Sequence, residues 1–254
     1  MSNPGDESRL LVLEKISTIM DCFSTVRPEL TLAEIRVASR LPSSTCQRLV
    51  QQLVREGMLD RDGDDYRVGL KVVRWALPAT EGLDIVRVTR TVLLDLRDAT
   101  QETAVLFLRD RQYRTVVGMA RAHHAVVRAI SVGMVAPLRE LGSSSRVFMA
   151  FDQEALDEAV RDGLRRSSEL DRELADIRDR GWVDTFAERE TLSAGVAAPV
   201  LDRFGALAAV IGIAGPTSRM EDTAVRERNS RAVMHAAREA SSRLGWTPEG
   251  AGSE

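Results

Sequence analysis

The chain has 254 residues and a net charge of −3, long enough for two small domains that each bury a core. Its two cysteines and three histidines show no zinc-type spacing, so neither a metal-built nor a disulfide-built scaffold is supported, and no cofactor is expected. The longest uncharged run, ending before Arg219, is glycine-rich and too short to span a bilayer as a helix, so no membrane partner is expected. Cys22 and Cys46, both on apolar helix positions, point to packed thiols in a reduced cytoplasmic protein.

Residues 1–8, MSNPGDES, are polar and read as a disordered arm rather than a leader. Leu10, Leu13, Ile16, Ile19, Met20 and Phe23 then recur at helical spacing, with Ser8 available as a cap. A polar loop over 25–30 follows. Thr31 and Glu34 have the spacing of a capping box, and Leu32, Ile35 and Ala38 share one side of the helix it opens. Arg40-Leu41-Pro42-Ser43 is a tight turn. In the next helix Cys46, Leu49, Val50 and Leu53 form the buried stripe, leaving Ser44, Gln47, Arg48, Gln51 and Arg55 on the opposite face.

That face has a definite chemistry. Arg can pair with guanine O6 and N7 and Gln with adenine N6 and N7, while Ser and Thr bond phosphates or base edges. From Ile35 to Arg55 there are four arginines and no acid, a local field that favours a polyanion within a mildly acidic chain. The bland alternative is a solvated amphipathic helix pair, but such faces usually mix Glu with Lys. Asp62-Gly63-Asp64 then marks a hairpin between residues 58–61 and 65–68, which after such a helix is a wing. Its Arg61 and Arg67 either lie along phosphates or are merely exposed strand residues; both readings stand.

Residues 70–76 begin another helix before Pro78, and 83–99 form a longer one. The apolar surface of that longer helix is broad enough to require packing on the second domain or on a partner chain. Strands are predicted over 103–108, 113–120 and 126–132, helices over 144–151, 153–163 and 170–181, and a hairpin of strands over 195–201 and 206–214. A long helix over 220–244 closes the domain, and residues 247–254 form a disordered tail. The fold class is α+β: an N-terminal winged helix-turn-helix (9–77), a helical linker (78–100) and an antiparallel sheet with flanking helices (101–246).

The stretches 30–76, 174–184 (LADIRDRGWVD) and 192–220 (LSAGVAAPVLDRFGALAAVIGIAGPTSRM) resemble the isocitrate-lyase-regulator (IclR) family of bacterial transcription factors. The resemblance implies a ligand-responsive regulator, not an enzyme, that binds a palindromic double-stranded operator as a homodimer or dimer of dimers. It places DNA contacts on Ser43, Ser44, Thr45, Gln47 and Arg48, beside which the basic turn and face add Arg40 and Gln51, and the wing Arg61 and Arg67. It also implies a GAF-like sensor domain binding a small-molecule effector. The pocket walls would come from the loop Gly133 to Leu138, the helix start Ser143, Ser144, Ser145 and Arg146, and the strands around Ser193 to Ala197 and Ile211 to Ile213. One departure stands out: the family's His-Ala-Thr-Ala-x-Gly-Lys-like stretch is Arg-Glu-Leu-Gly-Ser-Ser-Ser-Arg here, residues 139–146.

Gly142-Ser143-Ser144-Ser145 opening a helix can receive a carboxylate on its backbone N–H groups, with Arg146 or Arg139 supplying charge. Alternatively one serine caps the helix and the others are solvated. Two further function classes compete with an effector-responsive regulator. One is a DNA-binding oligomer with an empty, degenerate sensor. The other is a DNA-targeted enzyme built on Ser143 to Ser145 and a histidine, which lacks a Gly-x-Ser-x-Gly elbow.

Overall fold

The computed structural model describes residues 4–24, 27–82, 84–123, 130–186 and 193–247. They fall into two compact units that divide between Gly82 and Leu83. This boundary lies inside the stretch 78–100 that had read as a single linker helix.

The first unit runs α1 (Pro4–Met20), β1 (Glu29–Thr31), α2 (Leu32–Ser39), α3 (Ser43–Arg55), β2 (Leu59–Asp62), β3 (Asp65–Val68) and α4 (Leu70–Gly82). Its core gathers Ile19, Leu30, Ile35, Cys46, Leu49, Val50, Leu53, Leu59 and Tyr66, and thus includes the whole apolar stripe expected of α3. Burial pushes the thiols of Cys22 and Cys46 up, favouring their protonated form. Three details differ from the sequence reading. Helix α1 begins at Pro4, so Ser8 lies inside it and cannot be its cap. Ser39, not Ala38, is the buried residue at the end of α2. Residues 29 and 30, read as loop, form with the capping residue Thr31 a third strand paired with β3, giving a sheet of order β1-β3-β2. A three-residue strand is too short to show a period-2 signal. In the hairpin Asp62 pairs with Asp65, and Gly63 takes the left-handed φ of +59° that the first position of a two-residue turn requires.

The second unit contains α5 (Asp84–Thr100), β4 (Thr103–Asp110), β5 (Tyr113–Ala120), β6 (Val135–Pro137), α6 (Ser143–Phe151), α7 (Gln153–Arg161) and α8 (Ser168–Arg180). It continues with β7 (Val183–Phe186), β8 (Ser193–Leu201), β9 (Leu207–Pro216), α9 (Thr217–Met220) and α10 (Thr223–Arg243). The strands form one antiparallel sheet of order β6-β5-β4-β9-β8-β7. Period-2 alternation divides each strand between two layers. Ala104, Leu106, Val196, Ala198, Ala209 and Ile211 pack against α5 and α10, while Ala197 and Val210 join α6, α7 and α8 on the other side. The apolar surface of α5 is therefore satisfied by its own unit: Val92, Leu93 and Leu96 are buried in that first layer.

The third strand of the sheet is Val135–Pro137, not the predicted 126–132; of that stretch, 126–129 lie outside the described residues and 130–132 are not strand. Strand β7 was unforeseen, and the closing helix is split into α9 and α10 by an Asp222 cap that accepts from the Ala224 and Val225 N–H groups. Among the described residues no helix is long and apolar enough to cross a membrane.

Gly212 marks where the two long central strands meet most tightly. A β-carbon there would collide with the Val196 carbonyl oxygen and stand 3.1 Å from Ala197 Cα, both backbone atoms. Gly212→Ala is expected to lower unfolding stability by about 1–3 kcal/mol, measurable as a lower denaturant midpoint. An unchanged midpoint would show that β8 can shift aside.

Candidate DNA-binding face and effector pocket

The helix pair is set by its caps. Thr31 Oγ1 accepts the Glu34 N–H at 3.3 Å while Glu34 Oε2 accepts the Thr31 N–H at 2.9 Å, closing the capping box. These bonds, the Thr31 backbone N–H first, hold the Glu34 carboxyl below the ordinary carboxylate range. Arg40 ends α2 in the left-handed conformation, φ 55°, with its N–H on the Arg36 carbonyl. Pro42 then stands just before the first helical residue of α3, and no side chain caps that end.

The structure brings Arg40, Ser43, Ser44, Gln47, Arg48 and Gln51 to the surface, with Thr45 half-buried at the edge of the same turn. Arg36, Arg40, Arg48 and Arg55 form no ion pair among the described residues. The wing arginines differ. Arg61 Nε donates to the Gly63 carbonyl at 2.8 Å, its Nη2 lies 3.6 Å from Asp64, and its guanidinium sits 5.7 Å above the Tyr66 ring. Arg67 Nη1 lies 3.9 Å from Asp62.

In the second unit a cavity of about 70 Å³ opens between the sheet and the first turn of α6. Its apolar wall includes Val105, Phe107, Val116, Ile130, Met134 and Ala136, and its floor the small residues Gly195, Ala197, Gly212 and Ala214. Of the residues singled out from sequence, Ser143, Ser144, Ser193, Ala197 and Ile213 line it.

The other five lie elsewhere. Gly133 occupies a left-handed turn, φ +88°, beside the wall residue Met134. Leu138 is buried among the helices α6 to α8. Ile211 packs in the α5/α10 layer, the layer to which Ile213, at the cavity's border, also belongs. Ser145 is buried beneath the turn, donating to the Glu140 carbonyl at 3.1 Å. Arg146 turns away to Glu173, Nε to Oε1 2.6 Å, and Arg139 pairs with Asp162 at 2.9 Å.

The cation on this wall is Arg114 of β5, which sequence reasoning missed. It is 4% exposed. Its Nη1 donates to the Pro137 carbonyl at 2.8 Å, to the Glu140 carbonyl at 3.2 Å and, in a short contact, to Ser145 Oγ. It thereby fixes the loop that delivers α6. Among the described lining residues it is the one charged side chain; no histidine, cysteine or carboxylate is among them. The uncapped start of α6 adds to it: Gly142 is the N-cap and offers no side chain to the first-turn N–H groups, which carry the positive end of the helix dipole. The signal for Arg114 was its period-2 phase with Val116. A bulge near Leu106/Phe107 then flips the phase, so that Gly118 packs under Leu93 of α5.

Compared with known proteins, residues 12–63 match the family model described as the IclR helix-turn-helix domain, and residues 78–242 match that of the bacterial transcriptional regulator IclR C-terminal domain. The chain belongs to the IclR family. It is a transcriptional regulator whose N-terminal unit carries a DNA-binding helix-turn-helix.

Relatives span nearly the whole chain. The regulator KipR of Bacillus subtilis is 25% identical over 232 residues, 87% of this chain and 92% of its own length. BhcR of Paracoccus denitrificans is 27% identical over 247 residues, 93% and 88% respectively. Among solved structures, an IclR homologue of Microbacterium hydrocarbonoxydans complexed with 4-hydroxybenzoate superposes with a TM-score of 0.77 at 22% identity. That match covers 92% of this chain and 99% of the other. The Thermotoga maritima IclR gives 0.69 at 22%, covering 93% and 100%. At these identities the likeness is one of fold.

On the recognition face, Arg48→Ala is expected to weaken sequence-specific DNA binding by about 1–3 kcal/mol if Arg48 reads a base edge. Titrations on a preferred and an unrelated duplex check this. An equal loss on both would assign Arg48 to phosphate instead.

Proposed function

We propose that this IclR-family regulator binds a palindromic operator through Ser43, Ser44, Thr45, Gln47 and Arg48 of α3, and that a small organic carboxylate bound in the second unit changes its operator affinity. One observation carries the effector half of this reading. A buried guanidinium and an uncapped helix start converge on a pocket whose remaining walls are apolar or small. Positive potential at one end and an apolar body select a compact anion with a hydrophobic part. The 4-hydroxybenzoate in the Microbacterium relative has that chemistry. The charge comes from Arg114, which lines the pocket, rather than from Arg146 or Arg139, which point away to Glu173 and Asp162.

The protein acts in the cytoplasm as a homodimer or dimer of dimers. A two-fold operator requires a two-fold protein, and α5 has no large apolar surface left to offer. Leu70, Val73 and Trp75 of α4, with Leu11 and Leu13 of α1, are exposed apolar residues of the first unit that a second copy would cover. Of the wing residues, Arg61 and Arg67 contribute less than the α3 face, because they are engaged within the hairpin.

A binding titration on operator-bearing DNA with a panel of aromatic and aliphatic acids and their amides tests the reading. The acids should shift DNA affinity and the amides should not. Arg114→Gln should raise the half-effective acid concentration at least about tenfold, the loss of a charge-assisted bond, while Arg114→Lys should retain part of the response. DNA binding indifferent to every compound would favour the empty-sensor alternative, and a response to amides alone would reject the carboxylate.

A further inference from the structure

The hairpin beside the recognition helix carries the wrong charge for a phosphate grip. Between Leu59 and Val68 stand Asp60, Asp62, Asp64 and Asp65 against Arg61 and Arg67, four carboxylates to two guanidinium groups, a net charge of −2. The register tightens this arrangement. Arg67 of β3 has Glu29 of β1 as its partner on one side and Asp60 of β2 on the other, and its Nη1 also lies 3.9 Å from Asp62. Arg61 is tied to the turn through the Gly63 carbonyl and Asp64 and rests over Tyr66. Asp62 and Asp65 face each other directly across the ladder, a like-charge pair that costs the hairpin stability. Sheet formation does not require that pair. By contrast the α2–α3 face next to it carries four arginines without ion pairs and no acid from Ile35 to Arg55.

We infer that the wing is an electrostatic guard and not a second grip. Its carboxylates keep Arg61 and Arg67 occupied and repel the DNA backbone, lowering affinity for duplexes of every sequence. The inference rests on the DNA-binding reading of α3. Each exposed ion pair is individually weak, but cross-strand neighbours such as Asp62 and Asp65, or Asp60 and Arg67, lie within a Debye length of about 8 Å at physiological salt, so their fields on a nearby phosphate add. The consequence is functional: a regulator held mainly by α3 sits at an affinity from which a modest effector preference can release it.

The test uses the full-length chain, a duplex selected from a random pool by the wild-type protein, and an unrelated duplex of equal length. The variant is Asp62→Asn/Asp64→Asn, with Asp60→Asn, away from the turn, as a second probe should the turn variant melt early. By fluorescence anisotropy at low salt, both duplexes should bind the variant at least about threefold more tightly, with their affinity ratio unchanged. The salt dependence should steepen by roughly one to two phosphate equivalents as the freed arginines find the backbone, so the gap closes as salt rises. Unchanged or weaker binding by the variants would overturn the guard while leaving the DNA-binding reading intact. A wild-type chain that selects no duplex at all would overturn both.

Discussion

The first turn of α6 reaches the sheet because β8 carries no side chain at position 195. A β-carbon there would stand 2.8 Å from Ser143 Oγ and 3.4 Å from the Ile213 carbonyl oxygen. That close approach lays a helix start with no side-chain cap over a floor of small residues, and the shape of the cavity depends on it. Arg114 works from the other side of the cavity. By donating to the carbonyls of Pro137 and Glu140 and to Ser145, it holds the segment between β6 and α6 where the helix must begin. A guanidinium stays protonated, so the residue that shapes the pocket also brings a positive charge to its wall.

The two units use positive potential differently. On α2 and α3 it is spread over exposed arginines that meet solvent, suited to a long polyanion whose contacts exchange with counterions. In the second unit it is concentrated in one guanidinium and one helix end beside an apolar wall, an arrangement suited to a single small anion. A chain whose overall charge is slightly negative supports both, because its acids are gathered elsewhere. Asp152, Glu154 and Glu158 surround Arg109, and the aspartates of the wing hold its own two arginines.

How much of this was legible in the sequence depends on how locally each feature is encoded. The capping box at Thr31, the stripe Cys46-Leu49-Val50-Leu53 and the Gly63 turn are written within a few residues, and all stand in the structure. The strands β1, β6 and β7 are three or four residues long and take their pairing from distant partners, which no local period reveals. The pocket was half legible. Ser143 and Ser144 were indicated both by the helix start and by the family resemblance, Ser193 by the resemblance alone. The charge was assigned to Arg139 and Arg146 because they are near in sequence, whereas β-pairing brings in Arg114 from a strand about thirty residues earlier. Ile211 was placed in the pocket with its strand neighbours, but strand side chains alternate between the two faces and it packs in the α5/α10 layer.

The central claim is that an anionic effector seats at the start of α6 beside Arg114. Amide hydrogen exchange across residues 142–147 reports on this directly, compared with and without the acid that most raises the melting temperature of the intact protein. The account predicts slowed exchange in this first turn and at Arg114, lost in Arg114→Gln. Protection confined to other parts of the chain, with these amides unchanged, would contradict it.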